Sequence, residues 1–335
     1  MSTGATSLKL PHRPLGKTGL SVSEIGFGGW GIGKSMWGPT DDHESMRALN
    51  SAFDSGLDYF DTAYAYGHGH SERLIARLFK ESGRRATVST KVPPKNMEWP
   101  GRANSRLALA FPPDWVRLSV ERSLRNLATD GLDVYQFHVW HDSWLKDPLW
   151  PALAEEMAAL KKEGKVRNWG VSINNNDPES AMELVKTGLI GVVQVLFNMF
   201  DQRAADALLP LCREKGVGVI VRCPFDEGSL TGMLTPETRF PPEDFRSHYF
   251  GGERLPETCR RADLLARAVI GPKAETLAAA ALKYCLSFDA VTTVIPGMRR
   301  VSHVTFNARA CDGKYFDAKE LAVIAPHRWV RDFYL

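Results

Sequence analysis

Four polar residues stand at or just past the ends of short apolar runs, and their types suit delivery of a proton to a carbonyl oxygen. Asp61 closes the run "LDYFDT", Tyr66 follows it, Lys91 lies near the end of "ATVSTKV", and His138 near the end of "DVYQFHV". A free tyrosine, with a pKa of about 10, is a reluctant partner in proton transfer near neutral pH. A lysine cation beside it favours the phenolate and lowers that pKa, and a carboxylate beyond the lysine keeps the ammonium charged and in place. In this reading Lys91 and Asp61 tune Tyr66, and His138 donates a hydrogen bond that orients the carbonyl. That set suits reduction of a carbonyl, in which hydride reaches carbon while a proton reaches oxygen. Singly, each residue has a plainer reading: Asp61 as a cap or turn former, Tyr66 as a loop aromatic, Lys91 as a salt-bridge partner, His138 as a core histidine with nearby His141 as the working group. "HVWHD" brings His138, His141 and Asp142 close in sequence but lacks a third ligand on a recognisable scaffold, so no metal site is expected.

A second motif asks for a nicotinamide cofactor by another route. "GFGGWGIG" holds Gly26, Gly28 and Gly31 at the G-x-G-x-x-G spacing. That fingerprint works only where it follows a strand and opens a helix, with an acid about 20 residues further on for a ribose hydroxyl. Here "IGKSMWGPTDD" comes next, with no amphipathic period before Asp42, and the nearest acid at a strand end is Asp61. The glycines therefore read as the exit of a strand.

The elements that must position these residues alternate regularly. Candidate strands fall at 24–29, 57–62, 86–92, 133–139, 167–172, 191–197, 216–222 and 290–296. Helix-period segments lie between them, among them "DDHESMRALNSAFDSG", "SERLIARLFKESG", "PDWVRLSVERSLRNL", "PALAEEMAALKKEG" and "DPESAMELVKTG". Gly56, Gly83, Gly164 and Gly188 mark helix ends, and Asp177 before Pro178 reads as an N-cap with proline at the first helical position. Strands that are apolar nearly throughout, joined by helices, predict a parallel sheet buried on both faces. Eight such units point to an α/β fold of the (β/α)8 TIM-barrel type, with an open doubly wound sheet as the alternative. "RPLGKTGLSVS" predicts an N-terminal β-hairpin that plugs the barrel floor. Two connections, 93–114 and 223–256, are long and rich in Pro and Gly; both come after strands, which puts them at the C-terminal face where barrel sites are built. The polar ends of adjacent strands would then surround one cavity.

Composition narrows the partners. Among 335 residues, 42 basic against 39 acidic side chains give a net charge of +3, too balanced for a nucleic-acid or membrane footprint, so a small-molecule partner is expected. The cysteines at 212, 223, 259, 285 and 311 form no C-x-x-C pair and are odd in number, arguing against a disulfide framework. No signal-peptide stretch and no long apolar run occur, so a cytoplasmic chain is expected, as a single barrel domain over 1–335 with a flexible tail at 1–12.

Taken in order, "YFDTAYAYGHGHSERLIARLF", "STKV", "DVYQFH", "GKVRNWGVS", "QVLFN", "GSLTG" and "VIPGMRR" resemble the aldo-keto reductase superfamily, from about Arg13 to about Asp312. The resemblance implies reduction of an aldehyde or ketone with NADPH, or with NADH, by a tetrad that falls on Asp61, Tyr66, Lys91 and His138, tyrosine being the general acid. It implies a cofactor extended across the barrel mouth, with Gly29 and Trp30 near the nicotinamide and Ser172 and Gln194 on its carboxamide. The family's usual Asn after that serine is Ile173 here, which weakens the contact or moves it to Asn174. Arg222 stands where most members stack an aromatic ring on the nicotinamide; a planar guanidinium can stack, or can pair with a carboxylate instead. The stretch 224–228, with Pro224, Phe225 and Gly228, matches the loop over the pyrophosphate, and Gly297, Arg299, Arg300, His303 and Asn307 match the adenosine end. Trp30, Trp37 and Trp140, with Trp144 nearby, come from segments near the mouth and would line a pocket for an apolar or aromatic aldehyde, or else pack the loops. Three other activities fit the same residues: oxidation of a sugar or alcohol, a cofactor-binding regulatory or redox-sensing subunit, and a lyase or isomerase using Lys91 as a Schiff base. The last needs a lysine of depressed pKa, whereas neighbouring Asp61 would raise it.

Overall fold

A strand with apolar side chains on both faces is stable only when both faces are covered. In the computed structural model, which describes residues 10–334 except 35, 39 and 176, ten strands form: β1 (His12–Pro14), β2 (Ser21–Ser23), β3 (Phe27–Gly28), β4 (Tyr59–Asp61), β5 (Thr87–Val92), β6 (Leu132–Phe137), β7 (Val166–Ser172), β8 (Val192–Leu196), β9 (Gly218–Arg222) and β10 (Val291–Val294). Strands β3 to β10 pair in chain order, each parallel to the next. Parallel bridges from Ile25 to Val294 and from Gly28 to Gly297 join the first strand to the last and close the barrel. Closure decides for the barrel over the open doubly wound sheet.

The glycines of "GFGGWGIG" serve that closure. Gly28 N–H donates to the Pro296 carbonyl at 3.1 Å, and a Cβ on Gly28 would lie 2.7 Å from the Ile295 carbonyl oxygen. A Cβ on Gly29 would lie 2.6 Å from the Asp61 carbonyl oxygen. The chain then makes a single 3-10 turn, Trp30–Ile32, and not the long helix that a dinucleotide fingerprint opens.

The hairpin β1–β2 inserts Leu15 into the barrel floor, where it is wholly buried with Val22, Tyr59, Val134, Val192, Ile220 and Ile295. Gly16, at φ +55°, meets Gly216 and Gly218 so closely that a Cβ would fall 2.3 Å from the Gly218 nitrogen. The expected flexible tail lies outside the described residues up to residue 9; beyond it, Leu10 is buried and His12 already belongs to β1.

Helices cover the outside of the barrel, with Asp42–Asp54, His70–Ser82, Pro113–Leu127 and Trp150–Lys162 where the sequence pattern predicts them. Gly83 ends the second of these in the left-handed region, at φ +65°, and its N–H returns to the Phe79 carbonyl. One expectation is corrected. Asp177 does not cap the next helix, which runs from Met182 to Lys186; the carboxylate of Asp142 does, accepting from the Glu183 and Leu184 amides at 2.6 and 3.1 Å. A cap donated from another loop leaves no local sequence signal. Both long connections leave the C-terminal ends of strands β5 and β9; they carry the short helices Leu107–Ala110 and Arg246–Tyr249 and a kinked run of turns over Asp226–Thr231. Among the described residues no helix is long and apolar enough to cross a membrane.

Candidate active site

Alternation along a strand sends residues i and i+2 to one face. On β5, Ser89 and Lys91 therefore share the barrel interior with Asp61 of β4, whose register partner is Ser89. The Lys91 ammonium donates to both Asp61 carboxylate oxygens, at 2.8 and 2.7 Å, and to the Thr62 carbonyl at 2.8 Å. Ser89 Oγ and Gln194 Nε2 also donate to Asp61, at 2.6 and 2.7 Å. Thr90, pointing the other way, donates to the buried Glu72 carboxylate at 2.6 Å. The pair is fully enclosed, Lys91 being 0% exposed and Asp61 2%.

Tyr66 sits above this pair on the turn after β4. The turn packs against the first loop so tightly that a Cβ on Gly33 would fall 2.8 Å from the Tyr66 carbonyl carbon. The Tyr66 ring centre is 5.1 Å from the Lys91 ammonium and 5.8 Å from the His138 ring, which meets it edge-on at 76°. His141 is elsewhere engaged: its Nδ1 pairs with Ser143 Oγ at 2.9 Å. The structure thus brings Asp61, Tyr66, Lys91 and His138 to one wall of the barrel mouth.

The electrostatics differ from the expectation in two respects, at Tyr66 and at Lys91, where Asp61 was expected to raise the ammonium and burial lowers it. Burial first, and the Asp61 charge second, push the Tyr66 phenol well above its ordinary value of 10.0; Arg222 opposes them. Lys91 was expected to bring that pKa down, but burial outweighs the nearby cations. Burial likewise lowers Lys91 from 10.5, although Asp61 pulls the other way. Because Lys91 spends all its N–H bonds on Asp61 and Thr62, it offers no free amine to a carbonyl, against the Schiff-base reading. Burial, with Lys91 and Arg222, drives His138 well below 6.5, so its imidazole is neutral at pH 7, and its Nδ1 is buried without a partner.

Around this wall stand the residues expected at the nicotinamide end. Ser172 and Gln194 are register partners on β7 and β8, with Gln194 already bonded to Asp61. Arg222 ends β9 and donates to the Ile173 carbonyl at 3.0 Å and the Asn175 side-chain oxygen at 2.5 Å; among the described residues no carboxylate forms an ion pair with it. Asn174 is not available in place of Ile173. Its amide accepts from Gly101 N–H at 3.1 Å and donates to the Gly101 and Trp140 carbonyls at 2.8 and 2.7 Å, tying the 93–114 connection to the barrel. Pro224 is buried, Phe225 half-buried, and Gly228 has φ +113°.

Aromatic rings line the opening, but not the set expected. Trp30 lies 6.2 Å from Tyr66 and 5.3 Å from Trp37. Trp140 belongs to the packing behind: it is 0% exposed, its indole N–H donates to Asp142, and its ring lies against Phe137, Trp144 and Trp150. Two aromatics that sequence reasoning missed stand in its place. Trp99, 40% exposed, meets the His138 ring edge-on at 4.6 Å. Phe245 stacks on Trp30 at 5.3 Å and meets Trp37 at 5.0 Å. Both come from the long connections, where only their richness in Pro and Gly was legible.

At the other side of the mouth, Trp37 bridges to Asp244, and Phe245 N–H donates to the Met36 carbonyl at 2.8 Å, joining the first loop to the connection after β9. Arg299 turns inward over Gly31 and donates to the Trp37 carbonyl at 3.0 Å. Gly297, Arg300 and His303 are exposed. Helix Val301–Ala310 begins without a side-chain cap or an acid in its first turn, and the amide Nδ2 of Asn307 in it is buried without a partner.

The chain matches the Aldo/keto reductase family model over residues 24–328. It is 33% identical over 243 residues to the aldo-keto reductase YhdN of Bacillus subtilis (strain 168), covering 71% of this chain and 69% of that protein. It is 31% identical over 235 residues to the NADH-specific methylglyoxal reductase of Escherichia coli (strain K12), covering 66% and 69%. Among solved structures, the holo form of aldo-keto reductase AKR11C1 from Bacillus halodurans superposes with a TM-score of 0.74 at 26% identity, over 96% of this chain and 97% of that one. The glycerol dehydrogenase AKR11B4 from Gluconobacter oxydans does so with a TM-score of 0.76 at 26% identity, over 94% of each chain.

Proposed function

This chain belongs to the aldo/keto reductase family of nicotinamide-dependent oxidoreductases, and we propose that within it the protein is an NADPH-dependent reductase of aldehydes or ketones with Tyr66 as general acid. The observation that carries the reading is the meeting of a half-buried phenol and a neutral imidazole above the enclosed Lys91–Asp61 pair.

The residues present fit a nicotinamide dinucleotide. A buried, unpartnered Asn307 amide in a helix whose N-terminus lacks a cap, next to exposed Arg300, suits the adenosine phosphate end. Gly297 has open space where a Cβ would be. Arg300, His303 and Asn307 would hold that end, with Arg299 as their inner neighbour; the 224–228 loop would hold the pyrophosphate, and Ser172, Gln194 and Arg222 the nicotinamide end. Exposed Arg300, beside His303, favours a 2′-phosphate, hence NADPH over NADH, with Arg299 held on the Trp37 carbonyl. When bound, the reduced cofactor supplies a hydride to the carbonyl carbon.

The chain's own groups handle the proton. The raised pKa keeps Tyr66 protonated at neutral pH, and the alkoxide oxygen formed on reduction is basic enough to take that proton. Lys91 then lies 5.1 Å from the resulting phenolate ring and stabilises its charge. His138, held neutral, has one N–H to donate to the carbonyl oxygen. Trp30, Trp99 and Phe245 exclude water and favour an apolar or aromatic substrate. The same geometry run backwards oxidises an alcohol, a reading favoured by the likeness to a glycerol dehydrogenase.

Purified protein mixed with NADPH and 4-nitrobenzaldehyde is expected to consume cofactor absorbance at about 340 nm, and Tyr66→Phe to lose at least about a hundredfold in rate. Equal turnover by both proteins would remove Tyr66 from the role of acid. Cofactor binding without turnover in either would favour a regulatory subunit.

A further inference from the structure

Beyond the helix Ala318–Ile324, residues 328–334 run back across the 223–232 loop at the barrel mouth. Trp329 N–H donates to the Phe200 carbonyl at 2.9 Å, and Arg254 donates to the Phe333 carbonyl at 3.3 Å. Arg331 forms an ion pair with Asp226, the two side chains being 7% and 6% exposed. Its guanidinium lies 4.0 Å from the Trp329 ring centre and 5.0 Å from those of Phe200 and Phe333. The Tyr334 hydroxyl donates to Glu227, whose carboxyl oxygen also accepts from the Cys223 thiol at 3.2 Å.

The loop held in this way has an unusual backbone. Cys223, Asp226 and Glu227 have φ of 53°, 48° and 57°, in the left-handed region that residues with a Cβ seldom enter. Such conformations persist only where the surroundings fix them. Side chains of the 328–334 segment reach all three of these residues: Arg331 meets Asp226, and the Tyr334 hydroxyl meets Glu227 and lies 3.9 Å from the Cys223 sulfur. An enclosed ion pair adds little net stability against an apolar pair of similar size, but it fixes a register.

We propose that Arg331 and Tyr334 are positioning residues of the cofactor site, which through Asp226 and Glu227 hold the 223–228 backbone in the left-handed turn required to bind a dinucleotide pyrophosphate. The assignment rests on the cofactor reading above, which gives that loop its ligand. It makes the 328–334 segment, distant in sequence from every residue of the tetrad, a part of the binding machinery. The segment sets cofactor affinity and leaves the chemical step to Tyr66, Lys91 and His138.

The test uses the full chain. Asp226→Asn with Arg331→Met removes both charges together and leaves no buried ion unpaired; Tyr334→Phe, which loses one hydroxyl, is the milder variant that keeps the fold. NADPH affinity is measured by calorimetry, hydrogen exchange of 223–232 is measured without cofactor, and kcat is measured at saturating NADPH. The expected result is a dissociation constant raised at least about tenfold in the charge-free pair and about threefold in Tyr334→Phe. Exchange in the loop should quicken, and the effect should fall on KM for NADPH more than on kcat. Adding Glu227→Gly to Tyr334→Phe should recover part of the affinity, because glycine enters a positive φ without the steric penalty that a Cβ brings. Wild-type affinity in both variants, or a fall in kcat at unchanged affinity, would overturn the assignment while the proposed function stands. Failure of the wild-type chain to bind NADPH would overturn both.

Discussion

Replacing Lys91 separates what the buried pair does for the reaction from what it does for the fold. Lys91→Met takes away the cation 5.1 Å from the Tyr66 ring. At an effective dielectric of about 20, a unit charge at that distance stabilises the phenolate by about 3 kcal/mol, or roughly two hundredfold in rate. The substitution also leaves the Asp61 carboxylate enclosed with only Ser89 and Gln194 as donors, and breaking a buried pair from one side costs about 3–5 kcal/mol of stability. Adding Asp61→Asn removes the stranded charge and can keep an acceptor for those two donors. The double variant should therefore regain most of the stability in urea unfolding followed by tryptophan fluorescence, while single-turnover reduction of 4-nitrobenzaldehyde stays slow by less than in Lys91→Met, because the Asp61 charge that opposes the phenolate is gone as well. Wild-type turnover by Lys91→Met itself would refute the reasoning, since it would leave the Lys91 cation with no charge effect on Tyr66.

Three further outcomes are expected. Burial keeps the folded-state pKa of His138 well below the 6.5 of the unfolded chain, so the unfolded chain binds a proton that the folded one refuses between those values. Stability is then full above pH 6.5 and falls as pH drops toward the folded-state value; His138→Gln should flatten the thermal midpoint across that window, and an unchanged slope would assign it to other groups. Trp99→Ala should raise KM for an aromatic aldehyde by about fivefold with little change for acetaldehyde, which steady-state kinetics on the two substrates would decide. Leu15→Ala should destabilise the barrel by about 2–5 kcal/mol through the cavity left in its floor, as read by urea unfolding.

The fold was legible because its signals are local. Each barrel strand is a short apolar run, each outer helix carries its own period, and the eight strand positions expected from the sequence coincide with β3 to β10. Helix ends were legible where the stop signal is a glycine, as at Gly83, and illegible where the cap arrives from another loop, as Asp142 does for Met182–Lys186. The tetrad was legible for a related reason. Strand alternation fixes which face Lys91 shares with Ser89, and parallel register sets Asp61 beside them.

The sequence by itself determined the architecture and the residue types at the strand ends, since periodicity and alternation are properties of neighbouring positions along one chain. Tertiary structure alone decided how those residues are used. Asn174 ties down a connection because Gly101 and Trp140, far off in sequence, present their carbonyls to it. Trp140 is packing and Trp99 is wall because the conformation of the long connection, which has no period to read, places them so. The Tyr66 phenol is pushed up where sequence reasoning from neighbouring charge pushed it down, because partial burial at the mouth strips water from it and Asp61 adds to the effect, and desolvation has no linear pattern. Arg331 and Asp226 likewise meet across more than a hundred intervening residues, a pairing that only the closed barrel creates.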